Sequence, residues 1–174
     1  MLSVEYGFVT PARSESMPDA SDPDGSSAPE WSLRRDLHVE TTPDRVWPWL
    51  AVPENVSQWW CPPPTVTIDF EPTEGGHYRE RYRDDDTEYD IDGTIVGFVP
   101  ARRLAVRRST DGRFGDHDRI EITLAEADDG TRLTHEHAFP SLALDRRRDA
   151  EDFYSDGWAW SLDRFRSLVI EESE

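Results

Sequence analysis

The sequence predicts a single α+β domain in which a curved antiparallel sheet of six or seven strands wraps around one long C-terminal helix. Two observations lead there. From Val66 to Ala138, apolar residues recur at alternate positions and are broken by Gly and Asp turns, as in a meander of strands. After Arg148 the apolar period lengthens to three to five residues, as in an amphipathic helix. A helix with one apolar face must bury that face, and the concave side of the sheet is the surface available. A chain of 174 residues suits one domain with a real core better than two.

Residues 1–30 read as a flexible acidic tail rich in Ser, Pro and Asp, whose apolar content cannot offset the entropy of ordering, and residues 31–172 as the folded domain. Leu33, Leu37 and Val39 share one face of a strand ending near Glu40. Thr42-Pro43-Asp44 opens a short helix carrying Val46, Trp47 and Leu50, which Pro53 ends. A second short helix from about Glu54 to Trp60 is closed by Pro62 to Pro64. Strands follow around Val66 to Phe70, Tyr78 to Tyr82 and Tyr89 to Val99, the last interrupted by Gly93 and Gly97 where a bend or close approach is expected. Further strands surround Leu104 to Arg108 and Ile120 to Leu124, and a hairpin at Asp129-Gly130 leads to one from Thr131 to Ala138. Phe153, Trp158, Leu162, Phe165 and Val169 then mark a helix from about Arg148 to Ile170.

The formal charge is −18, from 37 acidic against 19 basic residues, all of the latter Arg. Such a field repels nucleic acid and anionic membranes, so neither is an expected partner. Dense carboxylates combined with a weakly hydrated cation suited to pairing with them fit a protein adapted to molar salt. A single cysteine, Cys61, leaves no intrachain disulfide and suits a reducing cytoplasm. The first ten residues resemble no export signal, and no segment is apolar enough to span a bilayer.

Pro43 with Val46-Trp47, Gln58-Trp59-Trp60, Gly75-Gly76-His77-Tyr78, the run Gly93-Thr94-Ile95 to Pro100 with Leu104, Gly130-Thr131-Arg132-Leu133-Thr134, and Gly157-Trp158 with Leu162 occur in an informative order. By that order the chain resembles the START-like helix-grip superfamily and, within it, homologues of the activator of the heat-shock-protein-90 ATPase. The resemblance spans nearly all of residues 32 to 170 and implies a cavity between sheet and long helix, used across the superfamily for lipids, hormones, polyketides or aromatic compounds. Chaperone stimulation is read from no residue of this chain.

The candidate ligand-binding residues are Trp60, Tyr78, Glu80, Tyr82, His135, His137 and Trp158. Tyr78, Glu80 and Tyr82 alternate on one strand face, with Glu80 an acid or base in an apolar setting, a residue at the cavity mouth, or the partner of an Arg. His135 and His137 share a face with Leu133 and fit three roles: hydrogen bonds to a ligand, metal ligation with His77 as a third donor, or structural bonds. Trp60 and Trp158 offer flat walls to a ligand or are core packing. Cys61 reads as a bystander thiol, and Arg146-Arg147-Arg148 as a charge network at the helix start. No catalytic residue, metal or cofactor is expected. The function expected is binding or carriage of a hydrophobic or amphipathic small molecule, aromatic compounds included, in a cavity between sheet and C-terminal helix of a monomer or homodimer, the alternatives being a cyclase-, dehydratase- or hydrolase-type enzyme and an interaction module with a filled core. The charge makes one direct prediction: because salt shrinks the Debye length to about 3 Å near 1 M, melting temperature should climb steeply from dilute buffer to molar salt, whereas a flat dependence would contradict salt adaptation.

Overall fold

The computed structural model describes residues 31–61, 65–84 and 87–173, so the tail expected over residues 1–30, the triple proline and the turn at Asp85 and Asp86 lie outside the described residues. Strand β1 is Trp31–Val39, and three one-turn helices follow: α1 Pro43–Val46, α2 Pro48–Ala51 and α3 Pro53–Val56. Two helices are expected from the sequence; the structure has three because each opens on a proline. Pro48 and Pro53 have no N–H with which to extend the preceding helix, yet each sits comfortably in the first turn of its own. Pro53 thus starts a helix as well as ending one.

The alternating region forms β2 Thr65–Phe70, β3 His77–Asp84, β4 Thr87–Val99, β5 Arg103–Gly112, β6 Gly115–Ala127 and β7 Gly130–Phe139. All neighbours are antiparallel, and β1 returns to pair with β7, giving the order β1-β7-β6-β5-β4-β3-β2. Helix α4, Arg147–Ser173, runs for 27 residues and extends a little beyond its expected bounds. This is the helix-grip arrangement.

Trp158, Leu162, Phe165, Leu168 and Val169 of α4 are buried in the main hydrophobic cluster. Trp59 packs edge-on against Phe165, with ring centres 4.9 Å apart, and Trp60 against Trp158 at 5.3 Å. Phe153 falls off this stripe and is 55% exposed beside Phe114, because its position on the helix faces outward. Polar links also fasten the helix: Arg35 Nη2 donates to the Ser155 carbonyl at 2.8 Å, the Trp49 indole donates to Glu172 Oε2 at 2.7 Å, and the Ser161 hydroxyl donates to the Trp60 carbonyl at 3.0 Å. A second cluster of Phe114, Phe139, Leu142 and Ala150, flanked by Trp31 and Tyr154, fills the other end of the interior. No helix among the described residues is long and apolar enough to cross a membrane.

The outer face carries cross-strand pairs between Arg and carboxylates, such as Arg79 with Asp92 at 2.8 Å and a two-pronged Arg103–Glu121 pair. The inner face depends on a gap. Gly93 of β4 stands in register between Tyr78 of β3 and Arg108 of β5. A methyl group there would come within 2.5 Å of the Arg107 carbonyl oxygen and 3.2 Å of the Tyr78 ring, and backbone cannot swing aside as a side chain can. Gly93→Ala should therefore destabilise the domain by about 1–3 kcal/mol, read as a lowered urea midpoint. An unchanged midpoint would show that the strands have slack at this point.

Candidate functional site

Period-2 alternation sends Tyr78, Glu80 and Tyr82 of β3, Arg108 of β5, Asp118 of β6, and His135 and His137 of β7 to the concave face, where all are buried under α4. Glu80, Asp118, His135 and His137 are fully buried. Their setting lies between the two hydrophobic clusters, with Tyr154 packed against both.

Arg108 organises the group. Its Nη1 donates to Glu80 Oε1 at 2.6 Å, while Nε and Nη2 grip Asp118 Oδ1 and Oδ2 at 2.8 and 2.6 Å. Reaching Glu80 means crossing β4, which Gly93 permits by carrying no side chain. Glu80 also accepts the Tyr78 hydroxyl at 2.7 Å and the Tyr82 hydroxyl, so both its oxygens are engaged. Asp118 Oδ2 is shared with His137 Nε2 at 2.8 Å. On the far side of that ring, the Trp158 indole N–H points at Nδ1 at 3.0 Å. An indole nitrogen only donates, so Nδ1 must be the acceptor and the ring proton resides on Nε2, donating to Asp118. His137 is thereby fixed in one tautomer, with both nitrogens used.

The electrostatics follow from burial working against partners. Burial would lower the Arg108 pKa, but Asp118 and Glu80 overcome it and hold the guanidinium firmly charged. Burial would raise Asp118, yet Arg108 and His137 keep it well below the ordinary carboxylate range. Burial, reinforced by Glu80, pushes both tyrosines well above their usual value. It also pushes the Cys61 thiol up to about 11, with Glu80 adding to the effect, so this cysteine is a poor nucleophile. Burial keeps His137 neutral despite Asp118, and His135 neutral with further help from His137, Arg35 and Arg108.

His135 differs from every other member. Its ring packs on Trp158 with centres 4.1 Å apart, and neither ring nitrogen has a hydrogen-bond partner. Leaving a buried polar group unsatisfied costs about 1–3 kcal/mol, so His135 is the costly member of the set.

The structure brings Tyr78, Glu80, Tyr82, His137 and Trp158 into one bonded network and sets His135 and Trp60 against it through Trp158. His77 sits apart, exposed on the opposite sheet face near Asp69 and Glu71, because its parity is opposite to that of Tyr78; it cannot join His135 and His137 around a metal. No cluster among the described residues has three metal-binding side chains in place. Trp59 is as buried as Trp60 but serves the core, donating its indole N–H to the Trp49 carbonyl at 2.9 Å. Trp160 is 40% exposed. Arg146 pairs with Asp149 at 3.2 Å, a helix-start ion pair.

Sequence reasoning missed Arg108 and Asp118. The signal was present: Arg108 has the parity of Leu104 and Val106, and Asp118 that of Ile120 and Ile122. A charge in phase with a buried stripe, on each of three nearby strands, points to a buried ion group.

Two cavities bear on access. One, of about 30 Å³, lies between β1 and α4 and is lined by Arg35, Asp36, Leu37, Ala159, Leu162, Asp163 and Arg166. The other, about 330 Å³, runs over Thr67, Arg81, Tyr82, Arg83, Glu88 and Asp90. The space directly beneath α4 is occupied by the aromatic and ionic side chains just described.

Two outcomes follow. Removing the central cation in Arg108→Met strands two buried carboxylates and should cost about 3–5 kcal/mol, measured by chemical unfolding; a change below about 1 kcal/mol would contradict the bonded network. The histidines set an acid sensitivity. Both pKa values are lowered in the folded state, so the unfolded chain binds more protons as pH falls through the ordinary value of 6.5. Stability present above that pH is then lost on acidification, and Asp118, also lowered, adds its own loss only below its ordinary value of 3.8. Unfolding free energy should fall between pH 7 and pH 5, less steeply in His135→Gln, and an identical slope in that variant would contradict a neutral buried His135.

Comparison with known proteins agrees with this architecture. The family model for "Activator of Hsp90 ATPase homolog 1-like protein" matches residues 40–169. No functionally curated protein matches the chain. Among solved structures, protein NE0264 from Nitrosomonas europaea is 19% identical with a TM-score of 0.68, the match covering 82% of this chain and 96% of that one. Protein MLL2253 from Mesorhizobium loti is 18% identical at 0.67, covering 83% and 99%. CalU16 from Micromonospora echinospora is 22% identical at 0.59, covering 82% and 78%. At these identities the likeness speaks for the fold alone, but the family match extends over most of the sequence, and the chain belongs to the Activator of Hsp90 ATPase homolog 1-like family of the START-like helix-grip superfamily.

Proposed function

We propose that this protein binds a small amphipathic molecule between the sheet and α4, and that it carries its ligand rather than transforming it. The observation that carries the reading is His135, a fully buried imidazole with two unanswered ring nitrogens beside an aromatic wall. Apolar residues in place of the surrounding ion group would serve stability as well or better, so a polar interior of this kind supports a recognition role. Carriage is favoured over catalysis because the candidate acids and bases are occupied: Glu80 by three donors, His137 at both nitrogens, and Cys61 by a raised thiol pKa. The filled interior means that α4 must shift outward to admit a ligand. A salt-rich, reducing cytoplasm is the setting that the −18 charge, the Arg-only cations and the single thiol support.

Native mass spectrometry of protein purified at molar salt should reveal a retained small molecule. Tyr82→Phe and His135→Gln, which nearly preserve volume while altering polar contacts, should each weaken its retention. Retention unchanged in both variants, with stability reduced, would assign these residues to the core and defeat the proposal.

A further inference from the structure

The chemistry around His135 narrows the ligand, on the condition that the binding role proposed above holds. His135 lies directly across from Arg35 on β1 and Ile122 on β6. Arg35 lines the cleft between β1 and α4, and Leu162, on the opposite wall, stands one helical turn beyond Trp158, the ring against which His135 packs. The His135–Trp158 pair thus stands behind Arg35 and Leu162, next to the lining of this cleft. At about 30 Å³ it already has room for one or two water molecules, enough to mark a way in.

Charge selects what can enter. The cleft offers Arg35 and Arg166 against Asp36 and Asp163, a formal balance, and its cations are engaged: Arg166 with Asp163 at 3.6 Å, Arg35 with the Ser155 carbonyl. Deeper in, two carboxylates face one guanidinium, which disfavours a second anion, while Arg35 and Arg108 disfavour a cation. The imidazole itself has no acidic partner and is completely enclosed, so it presents one N–H donor and one lone pair. A hydroxyl answers either of these, and a carbonyl oxygen answers the donor. We propose that the ligand of this protein is an uncharged aromatic or aliphatic molecule whose hydroxyl or carbonyl group bonds to His135, entering between β1 and α4 with its apolar body against Trp158 and Leu162.

The test uses the full chain at molar salt and three probes of matched shape: 2-naphthol, 2-naphthoate and 2-naphthylmethylammonium, titrated by calorimetry. Naphthol should bind, and both charged probes should bind at least about tenfold more weakly. Naphthol affinity should fall about tenfold in His135→Phe, which keeps the ring but loses both nitrogens. Ala159→Leu, at a half-buried position on the cleft wall, should also weaken binding by filling the entrance, and decides the matter if His135→Phe does not fold. Equal binding of naphthol and naphthoate overturns the uncharged-ligand inference while leaving the broader binding role intact. Naphthol binding that survives the substitutions overturns the placement at His135. No binding by any probe overturns the inference and counts against the binding role as well.

Discussion

One guanidinium holds the concave side of this protein in order. Arg108 ties β5 to β6 through Asp118 and, across the gap at Gly93, to β3 through Glu80. Asp118 in turn orients His137, and His137 receives Trp158 of α4, so sheet and helix are joined by a continuous chain of hydrogen bonds. Each group is fully enclosed or nearly so, and each would be costly without its neighbour. The arrangement is consequently all or nothing: loss of one link leaves a charge in an apolar surround.

The hydrophobic contacts around this chain divide into two clusters, the larger beneath the second half of α4 and the smaller around Phe114 and Phe139. Aromatic rings dominate both, which is how a chain with only 36% hydrophobic residues covers its core. The polar network lies between them, where an uninterrupted apolar filling would be ordinary. Its one unfinished corner is His135, next to the cleft lined by Arg35, and the proposed binding role rests on that corner.

Much of this was legible in the residues. Alternation across Val66 to Phe70 and Ile120 to Leu124 marked strands, and Trp158 with Leu162 marked the buried stripe of α4, because these patterns arise from backbone geometry alone. The inward face of Tyr78, Glu80, Tyr82, His135 and His137 followed from the same parity. What the pattern could not convey was partnership, since Glu80 and Arg108 are 28 residues apart and meet only once the register of three strands is set. Phe153 shares the helical spacing of the buried stripe yet lies outside the core, because an aromatic at the edge of a stripe can rest on another ring at the surface. The three proline-led turns appeared as two helices because a proline both stops and starts a helix, and the local sequence does not tell which act dominates.

The most direct measurement is a pH titration of the histidine ring nitrogens by long-range nitrogen–proton correlation NMR on the full chain at molar salt. The network requires His137 to stay neutral, with its proton on Nε2 and a bare Nδ1, as pH falls through the ordinary imidazole midpoint of 6.5, and His135 to stay neutral alongside it. A His137 ring that carries its proton on Nδ1, or that takes up a second proton with an ordinary midpoint near 6.5, would contradict the chain from Arg108 to Trp158 on which the account rests.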